Sequence, residues 1–347
     1  MKETIESLLE NFDPNGVGLD NGHFIGLPFK EEHAELVVLS IPWDVTVSYA
    51  DGTSSGPENI LQASTQLDLY DADFPNAWKK GIFMRPSPSE LLDLNAQFRA
   101  KAKKHIDFLE LGGKTVDSED QQNLVKEINK ACKQCKDYVY EQSLSLLKKG
   151  KKVGLCGGSH ATPLGFLEAL SEVHDSFGIL QFDAHMDLRI AYEDFQLSHA
   201  SIMYNSLKIN NIEQLTQVGI RDYCDQETEL AKKQADRITV FTDETLKRRV
   251  FEGEPFKNIV RDIIESLPQK VYISFDIDGL DPKLCPNTGT PVPGGLEFQE
   301  AVYTIVELKK SGREIIGFDL NEVGGTDHEW DGNVGARILY KLMLATL

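Results

Sequence analysis

The stretch "QFDAHMDLR", Gln181 to Arg189, places Asp183, His185 and Asp187 within five positions, directly after an apolar run. Other runs end the same way: "KKVGLC" leads into "GGSH", ending at His160, and "KVYISF" leads into Asp276 and Asp278, with Asp281 following. "EIIGFDL" leads into Glu322. Carboxylates crowded this closely repel one another and resist ionisation. Divalent cations remove the conflict. Two of them carry +4, matching the −4 of Asp183, Asp187, Asp276 and Asp278, so the balance points to a site for two metals. With His160 and His185 the donor set is hard, oxygen-rich and free of thiolate. It favours manganese over a structural zinc site, with nickel, cobalt and iron as alternatives. A water between two such ions loses a proton near neutral pH and becomes a nucleophile, so the spacing predicts metal-activated hydrolysis. Taken singly, His160 could be a hydrogen-bonded core histidine and Asp183 a helix cap. Six ligand-type residues at three strand ends, in D-x-H-x-D and D-x-D spacing, are hard to assemble by chance.

The elements that must position these residues are legible as short β-branched runs at 35–41, 151–156, 177–183, 215–220, 237–242, 270–276 and 314–320. Helical patterns lie between most of them, at 121–149, 162–174, 256–267, 297–311 and 334–346. Strands alternating with helices imply βαβ units and a mostly parallel sheet buried on both faces. In such sheets ligands bind outside the carboxyl ends of the strands, where the acids and histidines fall. Alternation along an extended segment lets Asp183 and His185 share one direction, and likewise Asp276 and Asp278. We read residues 1–347 as a single domain. Its polar, helical stretch around 84–120 looks like a surface insertion: a lid, a subunit contact or a solvated excursion.

The chain has 55 acidic and 36 basic residues among 347, a net charge of −19. This argues against nucleic acid as a partner, since phosphate binding needs clustered Lys and Arg, and it suits a small cationic partner. No run of about 18 apolar residues is present, so no membrane span is expected. The charged N-terminal stretch lacks the apolar region of a secretory signal. Five scattered cysteines fit a reducing cytoplasm better than a disulfide framework. Cys132 and Cys135 form one C-x-x-C within a helical pattern and read as ordinary helix residues rather than a zinc or redox pair.

At these motifs the sequence closely resembles the ureohydrolase family, which comprises arginases, agmatinases, formimidoylglutamases and related guanidino-compound hydrolases. "GGSHATPLG" (157–165), "FDAHMDLR" (182–189) and "SFDIDGLDP" (274–282) resemble its three metal-binding signatures, in order. "NTGTPVPGG" (287–295) resembles its Gly- and Pro-rich loop, "GFDLNEV" (317–323) its substrate-glutamate strand, and "WDVTVSYADGTSSGPENI" (43–60) its N-terminal glycine-rich segment. The resemblance runs from about residue 36 to the C-terminus, apart from 84–120. Ser159 stands where many members have Asp or Glu, and Cys285 and Asn287 fall in a loop that usually reads Ala-Pro-Gly.

The resemblance implies an arginase-like α/β fold, a three-layer αβα sandwich around the sheet, and two Mn²⁺ per chain. One ion would be held by His160, Asp183, Asp187 and Asp276, the other by Asp183, His185, Asp276 and Asp278. It also implies a homo-oligomer, trimeric or hexameric, and hydrolysis of a guanidino compound to urea and an amine. Asp187 would orient the attacking water. Glu322 would pair with the planar guanidinium, and His199, in "LSHAS", would carry protons with a pKa near neutrality. The loop "LRIAYEDFQLSHAS" looks most like agmatinases. There Glu193 could attract a cationic tail. Arg189 could meet a carboxylate or serve as a salt-bridged structural residue. Guanidine or a guanidino acid, an arginase or formimidoylglutamase activity, and nickel as the metal are the alternatives. A one-zinc deacetylase and a non-catalytic regulatory homologue stand further off.

Overall fold

The computed structural model describes residues 4–325 and 329–347. All seven apolar runs form strands: β1 (Leu36–Ile41), β3 (Lys152–Gly157), β4 (Phe177–Phe182), β5 (Ile212–Ile220), β6 (Ile238–Thr242), β7 (Lys270–Asp276) and β8 (Glu314–Asn321). A short further strand, β2 (Ile82–Met84), pairs with β1 at the sheet edge. The order is β2-β1-β3-β8-β7-β4-β5-β6 and every pairing is parallel.

A parallel sheet must be covered on both faces, and two layers of helices do so. α2 (Gly56–Ala63), α9 (Phe256–Glu265), α10 (Phe298–Lys310) and α11 (Glu329–Thr346) share one core, through residues such as Ile60, Ile263, Ile305 and Leu342. α3 (Ser89–Glu110), α4 (Glu119–Lys148), α5 (Leu164–Ser171) and α6 (Ile202–Ser206) share the other, through Ile106, Val139, Leu167 and Met203. The strands alternate between the two cores with period two. In β7, Val271, Ile273 and Phe275 join the first core and Tyr272 the second. Each such side chain, once fully buried, contributes roughly 1.5–3 kcal/mol relative to exposure. The fold is therefore the expected αβα sandwich. Among the described residues the remaining α-helices are α1 (Ile5–Glu10), α7 (Asp225–Lys233) and α8 (Asp243–Phe251). No helix among the described residues is long and apolar enough to cross a membrane.

The 84–120 stretch is mostly α3, which packs on α4 and buries Leu91, Ala102 and Ile106 together with two polar residues, Asn95 and His105. Cys132 and Cys135 lie buried on the inner side of α4, unpaired. Burial pushes the Cys132 thiol up to about 12 and the Cys135 thiol well above its ordinary value. Neither is a thiolate at neutral pH, which disfavours redox chemistry.

Candidate active site

Four adjacent central strands, β3, β8, β7 and β4, deliver the acids and histidines to one end of the sheet. His160 follows β3 in a turn that opens at Gly157 and Gly158. A Cβ at Gly158 would lie 2.4 Å from the Trp43 carbonyl oxygen, so only glycine lets the chain pass there. Asp183 leaves β4, and Asp187, at φ 55°, turns the chain so that its carboxylate comes back beneath His160. Asp276 ends β7. Its carboxylate caps the short turn of 3₁₀ helix at 277–279 by accepting from Asp278 N at 2.9 Å. The two aspartates of D-x-D therefore meet through a turn, not through the strand alternation expected from sequence. Asp278 in turn accepts from Ala184 N at 3.0 Å, which ties the two acidic segments together.

The imidazole Nδ1 of His160 has Asp183 Oδ2 and Asp187 Oδ2 at 3.0 Å and Asp276 Oδ2 at 3.4 Å. None of them meets it with hydrogen-bond geometry. His185 Nδ1 lies 3.1 Å from Asp278 and 3.5 Å from Asp183. Two groups result, His160–Asp183–Asp276 and Asp183–His185–Asp278, each with its donor atoms within 4.8 Å of one another, and Asp183 belongs to both. Apart from His185, these side chains are almost wholly buried.

Burial alone would lower both histidines. The carboxylates around them instead raise His160 well above the ordinary imidazole value and His185 to about 12. Burial and the neighbouring Asp183 raise Asp187 to about 8, while burial with Asp278 and Asp183 holds Asp276 well above the usual carboxylate range. Asp183 is buried too, but the imidazoles of His160 and His185 beside it hold it below that range. The metal-free site thus relieves its crowding with protons. A buried Nδ1 with no hydrogen-bond partner among three carboxylates, and an aspartate shared by both groups, fit replacement of those protons by two divalent cations.

Sequence reasoning missed the layer behind these donors. His160 Nε2 lies 2.8 Å from Ser274 Oγ, which donates to Asp319 at 3.1 Å. Asn321 also donates to Asp319 and accepts from Thr162 at 2.8 Å. Gln181 donates to Asp183 at 2.8 Å. Ser274 and Gln181 sit two residues before Asp276 and Asp183, on the same face of their strands, so the alternation carried the signal. Partners of this kind fix the ring orientation of a ligating histidine. Ser274→Ala is expected to weaken metal affinity about 10- to 100-fold without unfolding the protein, as read by metal titration alongside thermal melting.

Glu322, at φ 63°, follows β8. Its Oε1 accepts from His160 N at 2.8 Å, while its buried Oε2 has no hydrogen-bond partner and faces Gly289, where a Cβ would come within 2.8 Å. Burial raises this carboxyl to about 7. The Gly289 loop is anchored by the departures noted in sequence. Cys285 Sγ and Asn287 N donate to the buried Asp331 of α11 at 3.4 and 2.8 Å.

A pocket of about 360 Å³ opens over the acidic cluster. Its lining includes His185, Asp187, Arg189, Tyr192, His199, Asp222 and Glu227. His199 Nε2 is 3.4 Å from Ser48 Oγ. Partial burial and the facing His185 and His160 lower His199 to about 4. His199 is thus a neutral imidazole at pH 7 rather than the near-neutral acid expected. Arg189 stacks on Tyr192, 4.9 Å to the ring centre, with Nε 3.9 Å from Glu227. Glu193 is not among the lining residues. Its carboxyl is raised to about 7 by burial and by Glu110, and one of its oxygens is buried without a partner.

Residues 34–345 match the sequence model of the arginase family. The chain belongs to that family. It is 30% identical over 312 residues to the N(1)-aminopropylagmatine ureohydrolase of Thermus thermophilus, with 89% of each chain covered. It is 28% identical over 323 residues to the agmatinase of Bacillus subtilis, covering 92% of this chain and 95% of that one. The agmatine ureohydrolase structure of Thermoplasma volcanium superposes with a TM-score of 0.70 at 21% identity, over 98% of this chain and 97% of the other. This arginase-family protein is thus a metal-dependent hydrolase.

Proposed function

We propose that this arginase-family chain hydrolyses a guanidino compound with an amine-bearing tail, in the manner of an agmatinase, releasing urea. The observation that carries the reading is the unpartnered Glu322 oxygen beside two histidine–aspartate groups that share Asp183. His160, Asp183, Asp187 and Asp276 would hold one divalent ion, and Asp183, His185, Asp276 and Asp278 the second. Manganese suits the donors best, with nickel the alternative. When bound, such ions supply Lewis acidity and lower the pKa of water enough for attack near neutral pH.

The chain's own residues do the rest. Glu322 Oε2 accepts an N–H of the guanidinium, while Oε1 stays fixed by His160 N. Asp187 accepts a hydrogen bond from the attacking water and aims it at the guanidinium carbon. A C–O bond forms there and the C–N bond to the tail breaks. The amine must leave protonated, and His199, neutral at the start, can take a proton from the reaction and deliver it to the leaving nitrogen. At the mouth, Asp222 and Glu227 outnumber Arg189, whose charge already lies beside Glu227. That balance favours a cationic tail over a carboxylate. It supports Arg189 as a structural residue, and the place of Glu193 outside the pocket lining speaks against a part for it in binding the tail. A cytoplasmic homo-oligomer, trimeric or hexameric, completes the reading.

The test is urea release from agmatine, arginine, 4-guanidinobutyrate and guanidine, with formamide release from formimidoylglutamate, by protein loaded with Mn²⁺ or Ni²⁺. Preference for agmatine or a longer amine is expected. Preference for 4-guanidinobutyrate or formimidoylglutamate would overturn the cationic-tail reading, and one metal per chain would favour a deacetylase-like centre. Glu322→Gln should keep both metals yet lose about 100-fold in kcat/KM, as expected for removing a charge-assisted bond worth roughly 3 kcal/mol.

A further inference from the structure

Two of the loops that line the pocket mouth belong to neither β4 nor β7. Residues 44–52 bring Ser48 and Tyr49, and residues 190–199 bring Tyr192 and His199. They touch each other: Thr46 Oγ1 donates to the Leu197 carbonyl at 3.5 Å, and Ser48 meets His199. Both loops are gripped by the same helical hairpin, α3 and α4.

The grip on the first loop comes from one face of α3. Asn95 accepts from Asp44 N at 2.7 Å and donates to Asp44 Oδ1 at 2.9 Å. The other oxygen of Asp44 accepts from the backbone of Gly52 and Ser54 at 3.2 and 3.1 Å, which closes the loop on itself. One turn along, Arg99 Nη1 donates to the carbonyls of Val45 and Val47 at 3.1 and 2.6 Å, and its remaining nitrogens pair with Asp51. A planar guanidinium can span two carbonyls and a carboxylate at once, which an ammonium cannot.

The grip on the second loop comes from the far end of α3, from the turn that follows and from α4. Glu193 and Asp194 are consecutive non-glycine residues in the left-handed region, at φ 51° and 65°. Such a conformation persists only where its surroundings over-determine it. Here the Asp194 carboxylate meets the fully buried His105 at 3.2 Å and accepts from Thr115 at 2.5 Å, while its carbonyl accepts from Asn129 at 3.2 Å. Asn129 also accepts from Gln196 N at 2.8 Å. Outside the hairpin, the first loop gains one further tie, Ala50 N to the Gly289 carbonyl, and the second one from Asn205 to the Gln196 carbonyl.

We propose that the α3–α4 hairpin is a clamp that sets the shape of the substrate mouth, with Arg99 and Asn129 as its positioning residues, one for each loop. Neither touches the acidic cluster. Their loss should loosen the loops and the grip on a substrate tail while sparing the metals. The kinetic part rests on the guanidino-compound reading above, whereas the structural part does not.

The test compares Arg99→Met, Arg99→Lys and Asn129→Ala with wild type by amide hydrogen exchange, metal content and kinetics on agmatine. Arg99→Met should speed exchange across 44–54 by about tenfold or more, with β3, β4 and β7 unchanged and two metals retained. Asn129→Ala should do the same across 190–198. For agmatine, Arg99→Met should raise KM about tenfold with kcat little changed, whereas Asn129→Ala, which frees the loop leading into His199, should raise KM and lower kcat as well. Arg99→Lys, which keeps the pair with Asp51 but not the two-carbonyl bridge, should fall between. Unchanged exchange in variants that melt as wild type overturns the clamp, as does loosening of the loops with an unaltered KM. Wild-type protein that turns over no guanidino compound would defeat the functional reading instead, and the exchange data would still decide the clamp.

Discussion

Asp183→Ala is expected to reduce metal content from two ions to fewer than one per chain and to lower kcat/KM about a thousandfold or more, since metal activation supplies several kcal/mol to such reactions. Asp183 is the residue common to both groups, and its two oxygens point to different histidines, Oδ2 to His160 and Oδ1 to His185. Losing it therefore removes a donor from each ion. It also leaves two imidazoles and three carboxylates without the group that separates them. Asp278→Ala touches only the second group, so one ion should remain while activity still falls steeply. Elemental analysis of both variants, purified with Mn²⁺, separates these outcomes. Full activity in either variant would mean that the reacting centre lies elsewhere.

Metal uptake should depend steeply on pH. Without cations, His185 is raised to about 12 and His160 lies well above its ordinary value, so both carry protons across pH 6–8. Asp187, raised to about 8, holds a proton over most of that window too. Each group must lose its proton to become a ligand. Each proton released makes affinity rise about tenfold per pH unit, so the two histidines alone predict about hundredfold per unit. The metal-free fold has the opposite slope. Groups whose folded pKa is raised stabilise it fully below their unfolded values, about 6.5 for histidine, and lose that contribution as pH rises through the folded values. The gap in melting temperature between Mn²⁺-loaded and EDTA-treated protein should therefore widen from pH 6 to pH 8. A gap independent of pH would show that the histidines are not protonated in the metal-free site.

Much of this architecture was legible in the sequence because a strand buried on both faces leaves a strong local trace. Every β-branched run became a strand, and the acids and histidines that follow four of them do gather above neighbouring strand ends. β2 was not legible, since three residues at a sheet edge carry too little pattern. Nor were α7 and α8, whose sequences, DQETELAKK and DETLKRRVF, bury only a few residues each. The order of the sheet is a property of long-range pairing and leaves no local mark. Asp319 looks like an ordinary strand residue until β7 and β8 lie side by side in register, Ser274 beside Asp319. Asn95 and His105 read as the polar face of a surface helix, yet both point inward, because the loops they hold are polar as well.

The insertion of β8 between β3 and β7 has a consequence for how the protein is made. β3 ends at residue 157 and β8 begins at residue 314, so the sheet has a gap until nearly the whole chain has left the ribosome. Until then β3 and β7 present unpaired edges to each other, the kind of edge that invites wrong pairing. His160 and Asp183 stand on strands three places apart, held at working distance only when β8 and β7 fill the space between them. Pairings this remote along the chain form slowly. The group on β4 and β7, Asp183–His185–Asp278, needs neither β3 nor β8, whereas His160 joins Asp183 and Asp276 only once β8 has closed the gap, so the two donor groups are completed at different stages of synthesis.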